Sequence, residues 1–242
     1  MTTKLSLNRI TRNLAFVLGL AALALLASCS KRSPTPSSQR MERSTTNEAS
    51  QKLQNCTKLL MDSMEKPTTP FHFSYKAQEN INTKYPMDKA AKPEVGPVTV
   101  EADVSPDEIS VTSTRGKQTS THKAKKGDEG AWAFAQMDLL GPMTGTGILL
   151  AFGQAVARPA GSDTVGGVAT DKYDFDTSTA TGSTKAGLDM AKAMITNIDN
   201  TKGTVWVDKA TGRLTKFNME AEFKDKAGNT WKEHYEGEVT PK

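Results

Sequence analysis

The spacing of hydrophobic positions changes several times along the chain, and each change marks a new element. Leu14 to Ser28 is an unbroken uncharged run. Further on, Ala49, Leu53, Cys56, Leu60 and Met64 recur every three or four residues. That is one face of a helix of about five turns, which Pro67 and Pro70 end. At Phe71 the period drops to two: Phe71, Phe73 and Tyr75 alternate with His72, Ser74 and Lys76, the pattern of a half-buried strand.

Strands continue beyond a proline-punctuated loop at 85–97. Pro97 to Val104 and Glu108 to Thr114 form a hairpin about Ser105-Pro106-Asp107. A polar strand at 117–125 turns at 126–130 into Ala131-Trp132-Ala133-Phe134, read as the next strand phrase. Val168 to Asp176 alternates, as do Gly203 to Asp208 and Thr215 to Phe223, and a final strand carries Trp231 and Tyr235 on one face. Leu188, Ala191, Ile195 and Ile198 mark a helix over about 185–197, with Thr184 as its N-cap. Another helix lies within Leu139 to Ala157, a stretch without a charge that Gly141-Pro142 breaks. Sequential hairpins with few helices predict an α+β fold whose antiparallel sheet has one face wet and one covered.

The uncharged run near the start is too short to span a bilayer as a helix. Lys4, Arg9 and Arg12 precede it, giving the basic and apolar regions of a secretory signal. It ends in Leu26-Ala27-Ser28-Cys29, which resembles the lipobox of bacterial lipoproteins. That resemblance implies cleavage before Cys29, a thioether to diacylglycerol on its sulfur and acylation of the new amine. Residues 1–28 are thus a lipoprotein signal peptide, 29–47 a lipidated flexible tether rich in Ser, Thr and Pro, and 48–242 the folded domain. The protein is expected to be exported and lipid-anchored. The resemblance places it on the outer membrane facing the periplasm in a two-membrane cell, and otherwise on the outer face of the plasma membrane. Cys56 then lacks an intrachain partner and reads as a buried small hydrophobe or an intermolecular disulfide half.

Composition adds little except through position. The net charge of +4 comes from 31 Lys+Arg against 27 Asp+Glu. Three of those basic residues belong to the leader, so the remainder is close to neutral and implies no acidic partner.

A lipidated cysteine, a tether, one helix and a long antiparallel meander together resemble the lipoprotein carriers LolA and LolB and their LprG/LppX-like relatives. Val104-Ser-Pro-Asp-Glu-Ile-Ser-Val-Thr, Gly130-Ala-Trp-Ala, Val165-Gly-Gly-Val-Ala-Thr-Asp-Lys-Tyr and Thr204-Val-Trp-Val-Asp-Lys-Ala-Thr-Gly-Arg-Leu are similar to that superfamily's strand phrases, in the same order. The resemblance covers about residues 48–240. It implies a strongly curved sheet, a half-open β-barrel, with the N-terminal helix and one or two further helices on its concave face. It also implies an apolar cavity for a lipid or lipoprotein acyl chain.

Catalytic signatures are missing from the sequence. No Gly-x-Ser-x-Gly elbow occurs. Gly182 to Gly187 has phosphate-loop spacing, but Leu188 stands where lysine is needed. The calcium-loop-like run from Asp174 lacks its glycine and its closing glutamate. His72, His122 and His234 are scattered, and the carboxylates single out no pair. Lys123, Lys125 and Lys126 are followed at once by Asp128 and Glu129 without interleaved aromatics, which argues against nucleic acid. The reading is therefore a non-enzymatic envelope lipoprotein without cofactor or metal, contacting the membrane through its anchor. Trp132, Phe134, Leu139, Leu140, Ile148, Leu149, Phe152 and Met194 are expected to contact an acyl chain, with Gly141, Gly145 and Gly147 letting the helix move as a lid. The alternative is an interaction module with the same sheet and a solid core.

Overall fold

A computed structural model describes residues 37–65, 67–82, 84, 91–195 and 198–242, with the side chains of 37–47, 61, 64, 65, 140–149, 151, 152 and 193–195 outside the description. The expected signal peptide, Cys29 and the residues preceding Ser37 lie outside it too, as does the side chain of Met64.

Among the described residues three helices and nine strands follow one another: α1 (Ser37–Glu65), β1 (Phe71–Asn80), β2 (Val95–Val104), β3 (Glu108–Arg115), β4 (Gln118–Lys125), α2 (Glu129–Gln154), β5 (Arg158–Val165), β6 (Val168–Asp176), α3 (Gly182–Ile195), β7 (Ile198–Asp208), β8 (Leu214–Lys224) and β9 (Thr230–Pro241). A short 3₁₀ turn at Thr177–Thr179 leads towards α3. All strands form one antiparallel sheet in the order β4-β3-β2-β1-β9-β8-β7-β6-β5. The sheet is two meanders joined side by side, β1 to β4 and β5 to β9, with β1 paired to β9 as the seam. β4 and β5 end the sheet without pairing to each other, so it is unclosed.

One face of this sheet is covered. α2 packs against β3 and β4 on one side and against β7 on the other, and α1 lies beside α2 and reaches β5 and β8. Alternate residues of each strand supply the core: Phe71, Phe73, Tyr75 and Ala77 from β1, Val98, Val100, Ala102 and Val104 from β2, and Phe217, Met219 and Ala221 from β8. Ala49, Leu53, Cys56 and Leu60 of α1 are buried against them at the expected helical spacing. The bulkiest fully buried side chains include Tyr75, Phe73 and Phe217, on strands at or next to the seam.

Gly237 makes the seam possible. It pairs with Tyr75 on one side and Phe217 on the other. A Cβ built there would lie 2.4 Å from two atoms of the Phe217 ring. The ring leans over the bare backbone instead and approaches Tyr75, with ring centroids 6.3 Å apart. Gly166 and Gly167, both at positive φ, form the two-residue turn between β5 and β6, which other residues enter only with strain.

Several sequence expectations are corrected. α1 starts at Ser37, so the segment expected to be a flexible tether is helical from there to residue 47. Past Pro36 the segment has no helix breaker, and a polar stretch extends a packed helix because propagation costs less than nucleation. Residues 131–134 are helical, not a strand phrase, because the Asp128 carboxylate caps the new helix by accepting the Ala131 N–H at 3.1 Å. α2 then runs unbroken through Gly141-Pro142. Proline disfavours helical backbone in the residue before it partly through that residue's Cβ, and Gly141 has none. α3 begins at Gly182, which places Thr184 inside the helix and not at its cap. β5 has no counterpart in the periodicity, being an exposed edge strand with Pro159 and a register shift at Gly161.

Replacing Gly237 with alanine is expected to destabilise the domain by about 1–3 kcal/mol through overpacking. Gly187→Ala, on α3 where an added Cβ meets nothing within 4 Å, is expected to stabilise it by about 0.5–1 kcal/mol. Urea unfolding followed by circular dichroism measures both. Equal effects at the two positions would contradict the packing described for the seam.

Candidate functional site: the covered face of the sheet and helix α2

α2 carries the longest uncharged stretch of the folded domain, and its described side chains divide between two environments. Ala135, Leu139 and Leu150 are buried in the core and Trp132 packs partly against it. Phe134 and Met137 face outwards, 61% and 50% exposed. Phe134 stacks on His122 of β4, with ring centroids 6.3 Å apart. Of the residues expected to contact an acyl chain, Leu139 thus lies within the core and Phe134 on the opposite side of the same helix. Leu140, Ile148, Leu149 and Phe152 on α2 and Met194 on α3 have side chains outside the described residues, and Cys29 lies outside them altogether. Gly153 brings the end of α2 close to the sheet, since a Cβ there would stand 2.5 Å from the Phe175 ring.

A polar cluster that the sequence reading missed occupies the inward face at one end of β1 and β9. Glu233 Oε1 accepts the Trp231 indole N–H at 2.7 Å and the Asn80 backbone N–H at 3.1 Å. Glu233 Oε2 accepts the Tyr235 hydroxyl. Nearby, Glu79 receives Arg115 Nη2 on Oε1 at 2.6 Å and Tyr75 Oη on Oε2 at 3.5 Å, while Arg115 Nη1 donates to the Asn80 carbonyl at 3.0 Å. Burial pushes the Glu79 carboxyl above its ordinary range, with Glu233 adding to the shift and Arg115 opposing it. Burial and the neighbouring Glu233 likewise push the Tyr235 phenol upwards. Strand parity was the available signal: Glu233 lies midway between Trp231 and Tyr235, and Glu79 continues the series Phe71, Phe73, Tyr75, Ala77.

The three histidines occupy different surroundings. His72 faces outwards between two carboxylates, with Nδ1 2.7 Å from Asp103 Oδ1 and Nε2 3.1 Å from Glu101 Oε2. Lys242 Nζ lies 2.6 Å from the same Asp103 oxygen. Lys242 first, then His72, hold the Asp103 carboxyl below the usual range. His122 turns inwards, 3.3 Å from Asp138 Oδ2 on α2. That oxygen also accepts Ser120 Oγ at 2.9 Å. Histidine and serine therefore share a carboxylate, whereas a relay would run from carboxylate through histidine to serine. His234 is exposed on β9. Among the described residues no three His, Cys, Asp or Glu side chains are grouped to hold a metal ion. None of the described helices is long and apolar enough to cross a membrane.

No family model matches the chain, and no curated protein matches it. Among solved structures it is similar to the crystal structure of LprF from Mycobacterium bovis, at 15% identity and a TM-score of 0.33, over 80% of this chain and 91% of that one.

Glu233→Ala leaves the Trp231 and Tyr235 donors without their acceptor and is expected to cost about 2–4 kcal/mol, read from unfolding curves together with a change in Trp231 fluorescence. Glu79 has a raised folded-state pKa, so the native state takes up that proton before the unfolded chain as pH falls. Wild-type stability relative to Glu79→Gln is accordingly expected to rise on going from about pH 7 to about pH 4, and a flat difference counts against the burial of Glu79. Burial also pushes the Cys56 thiol up to about 12. A thiol reagent at mildly alkaline pH is expected to leave native Cys56 unmodified and to label it fully in denaturant.

Proposed function

We propose that this protein is an envelope lipoprotein, anchored through acyl chains on Cys29, that binds a lipid or acyl chain against helix α2 on the covered side of its open sheet. The observation that carries this reading is the surplus of apolar surface on α2. A helix that only completes a core keeps its outer face polar. On α2 the core side holds Leu139 and Leu150, yet the outer side still presents Phe134 and Met137. The proposal also counts Leu140, Ile148, Leu149 and Phe152 of the uncharged stretch and Met194 of α3 as contacts of the bound chain. Binding would work by burial alone, at about 0.8 kcal/mol per methylene removed from water, without covalent chemistry. Anchoring would place the domain on the outer membrane facing the periplasm, or on the outer face of the plasma membrane where there is one membrane only.

A second reading, an interaction module with a solid core, is favoured by the packing: Phe73, Tyr75, Val100, Val111 and Phe217 are fully buried. In that case Phe134 and Met137 contact a protein partner.

Solvent extraction of the purified full-length protein followed by mass spectrometry separates the two. The carrier reading expects co-purifying lipid in about equimolar amount, reduced severalfold in Phe134→Ser with Met137→Ser. Lipid-free protein that also takes up no fluorescent fatty acid leaves the interaction module. Metabolic labelling with an acyl precursor, lost in Cys29→Ser, tests the anchor.

A further inference from the structure

Away from α2, a half-open cleft of about 230 Å³ lies between α1, β5 and β6. Its wall carries the unlike charges of Glu48, Lys52 and Asp171, and Lys209 stands just outside the lining, against Asp171 and Ser162. Asp171 of β6 stands between two ammonium groups, with Oδ2 3.6 Å from Lys52 Nζ and Oδ1 3.6 Å from Lys209 Nζ. Both separations exceed a direct hydrogen bond, so the carboxylate and the two ammonium groups retain capacity for another partner. A shorter bond fixes Lys209 in place, its Nζ donating to Ser162 Oγ at 2.8 Å. The neighbouring Tyr173 hydroxyl raises the pKa of the Lys52 ammonium, which is therefore held in its charged form. Glu48, 3.8 Å from Lys52, adds a second carboxylate at the rim. Pro159 contributes an apolar side to the same cleft.

These charges select among ligands. A phosphate or carboxylate entering beside Lys52 and Lys209 would meet Asp171 and Glu48. A cation would meet the two lysines. A hydroxyl group accepts from an ammonium and donates to a carboxylate at once, so it suits a wall where the two alternate. Neighbouring hydroxyls on one small ring could engage Asp171 together with both lysines while the ring's C–H face rests on Pro159. The volume admits a single ring of that kind and no more than a short extension. We propose that the cleft between α1, β5 and β6 binds a neutral polyhydroxylated group of monosaccharide size, gripped by Asp171, Lys52 and Lys209. This site is separate from the α2 surface and does not rest on the acyl-binding reading. Whether the ring is free in solution or carried as the head of a lipid, the chemistry of recognition is the same.

The test uses the full-length protein in a zwitterionic detergent without sugar, with backbone amide shifts as the readout. Probes are D-glucose, D-galactose, D-mannose, N-acetylglucosamine and glycerol, phosphatidylcholine vesicles containing monogalactosyldiacylglycerol, and inorganic phosphate. The expected result is a saturable response to at least one hydroxylated probe, confined to residues 48–52, 159–162, 171–173 and 209. Asp171→Ala and Lys52→Met are expected to weaken it at least about tenfold without altering the melting temperature. A response only to the vesicles assigns the group to a lipid head, and one to the free sugars assigns it to a soluble or polymeric source. The proposal is overturned by silence from every hydroxylated probe, by a response to phosphate alone, or by binding that survives both substitutions in folded protein.

Discussion

The structure depends on the pairing of β1 with β9. Each meander is built from neighbours in sequence, but only this seam makes them a single sheet. The partners are far apart along the chain, so closing the seam carries a large loop-entropy cost that side-chain burial must offset. Tyr75, Gly237 and Phe217 meet that demand in one cross-strand row. Two aromatic rings converge over a glycine, burying a large apolar area where either meander alone would leave an open edge. The helices then cover both meanders: α2 touches strands on either side of the seam, and α1 packs beside it.

Along the inward face the chemistry changes from one end to the other. Near the beginning of β1 and the end of β9 it is apolar and closely packed. Towards the end of β1 it becomes a hydrogen-bonded network around Glu79 and Glu233. Such a network is stable only when its members are satisfied, and Glu233 is, with three donors on its two oxygens. It fixes the register of β1 against β9 in a way that apolar side chains alone do not, because the donors come from Asn80 on one strand and from Trp231 and Tyr235 on the other. Glu79 is also tied to β3 through Arg115, and the Ile81 side chain lies over Gly96 of β2, where a Cβ would leave it no room.

Elements with strong periodicity were legible in the sequence: β1, the hairpin of β2 and β3, β6, β8 and the buried stripe of α1 all stand where alternation or helical spacing put them. The misses have physical causes. β5 is an edge strand with one buried residue, so it has no alternation to read. α2 is apolar on several sides, which leaves no period to distinguish it from other structures, and Gly141-Pro142 looked like a break. The polar cluster has no linear signature beyond strand parity, which alone puts Glu79 and Glu233 on the inward side. For the cleft beside α1, no linear motif exists: Lys52, Ser162, Asp171 and Lys209 come from separate elements, and only the folded sheet brings them together.

The position of β9 also sets an order of events in time. β1 leaves the ribosome, and an export channel that the leader would engage, long before its partner strand exists. Until then the first meander presents β1 as an unpaired edge bearing Phe71, Phe73 and Tyr75, the kind of surface that invites pairing with other chains. Folding of the sheet therefore cannot be completed in step with synthesis or export. The first meander thus keeps an aggregation-prone edge until the last strand arrives, and anything that shields β1 in that interval favours correct folding.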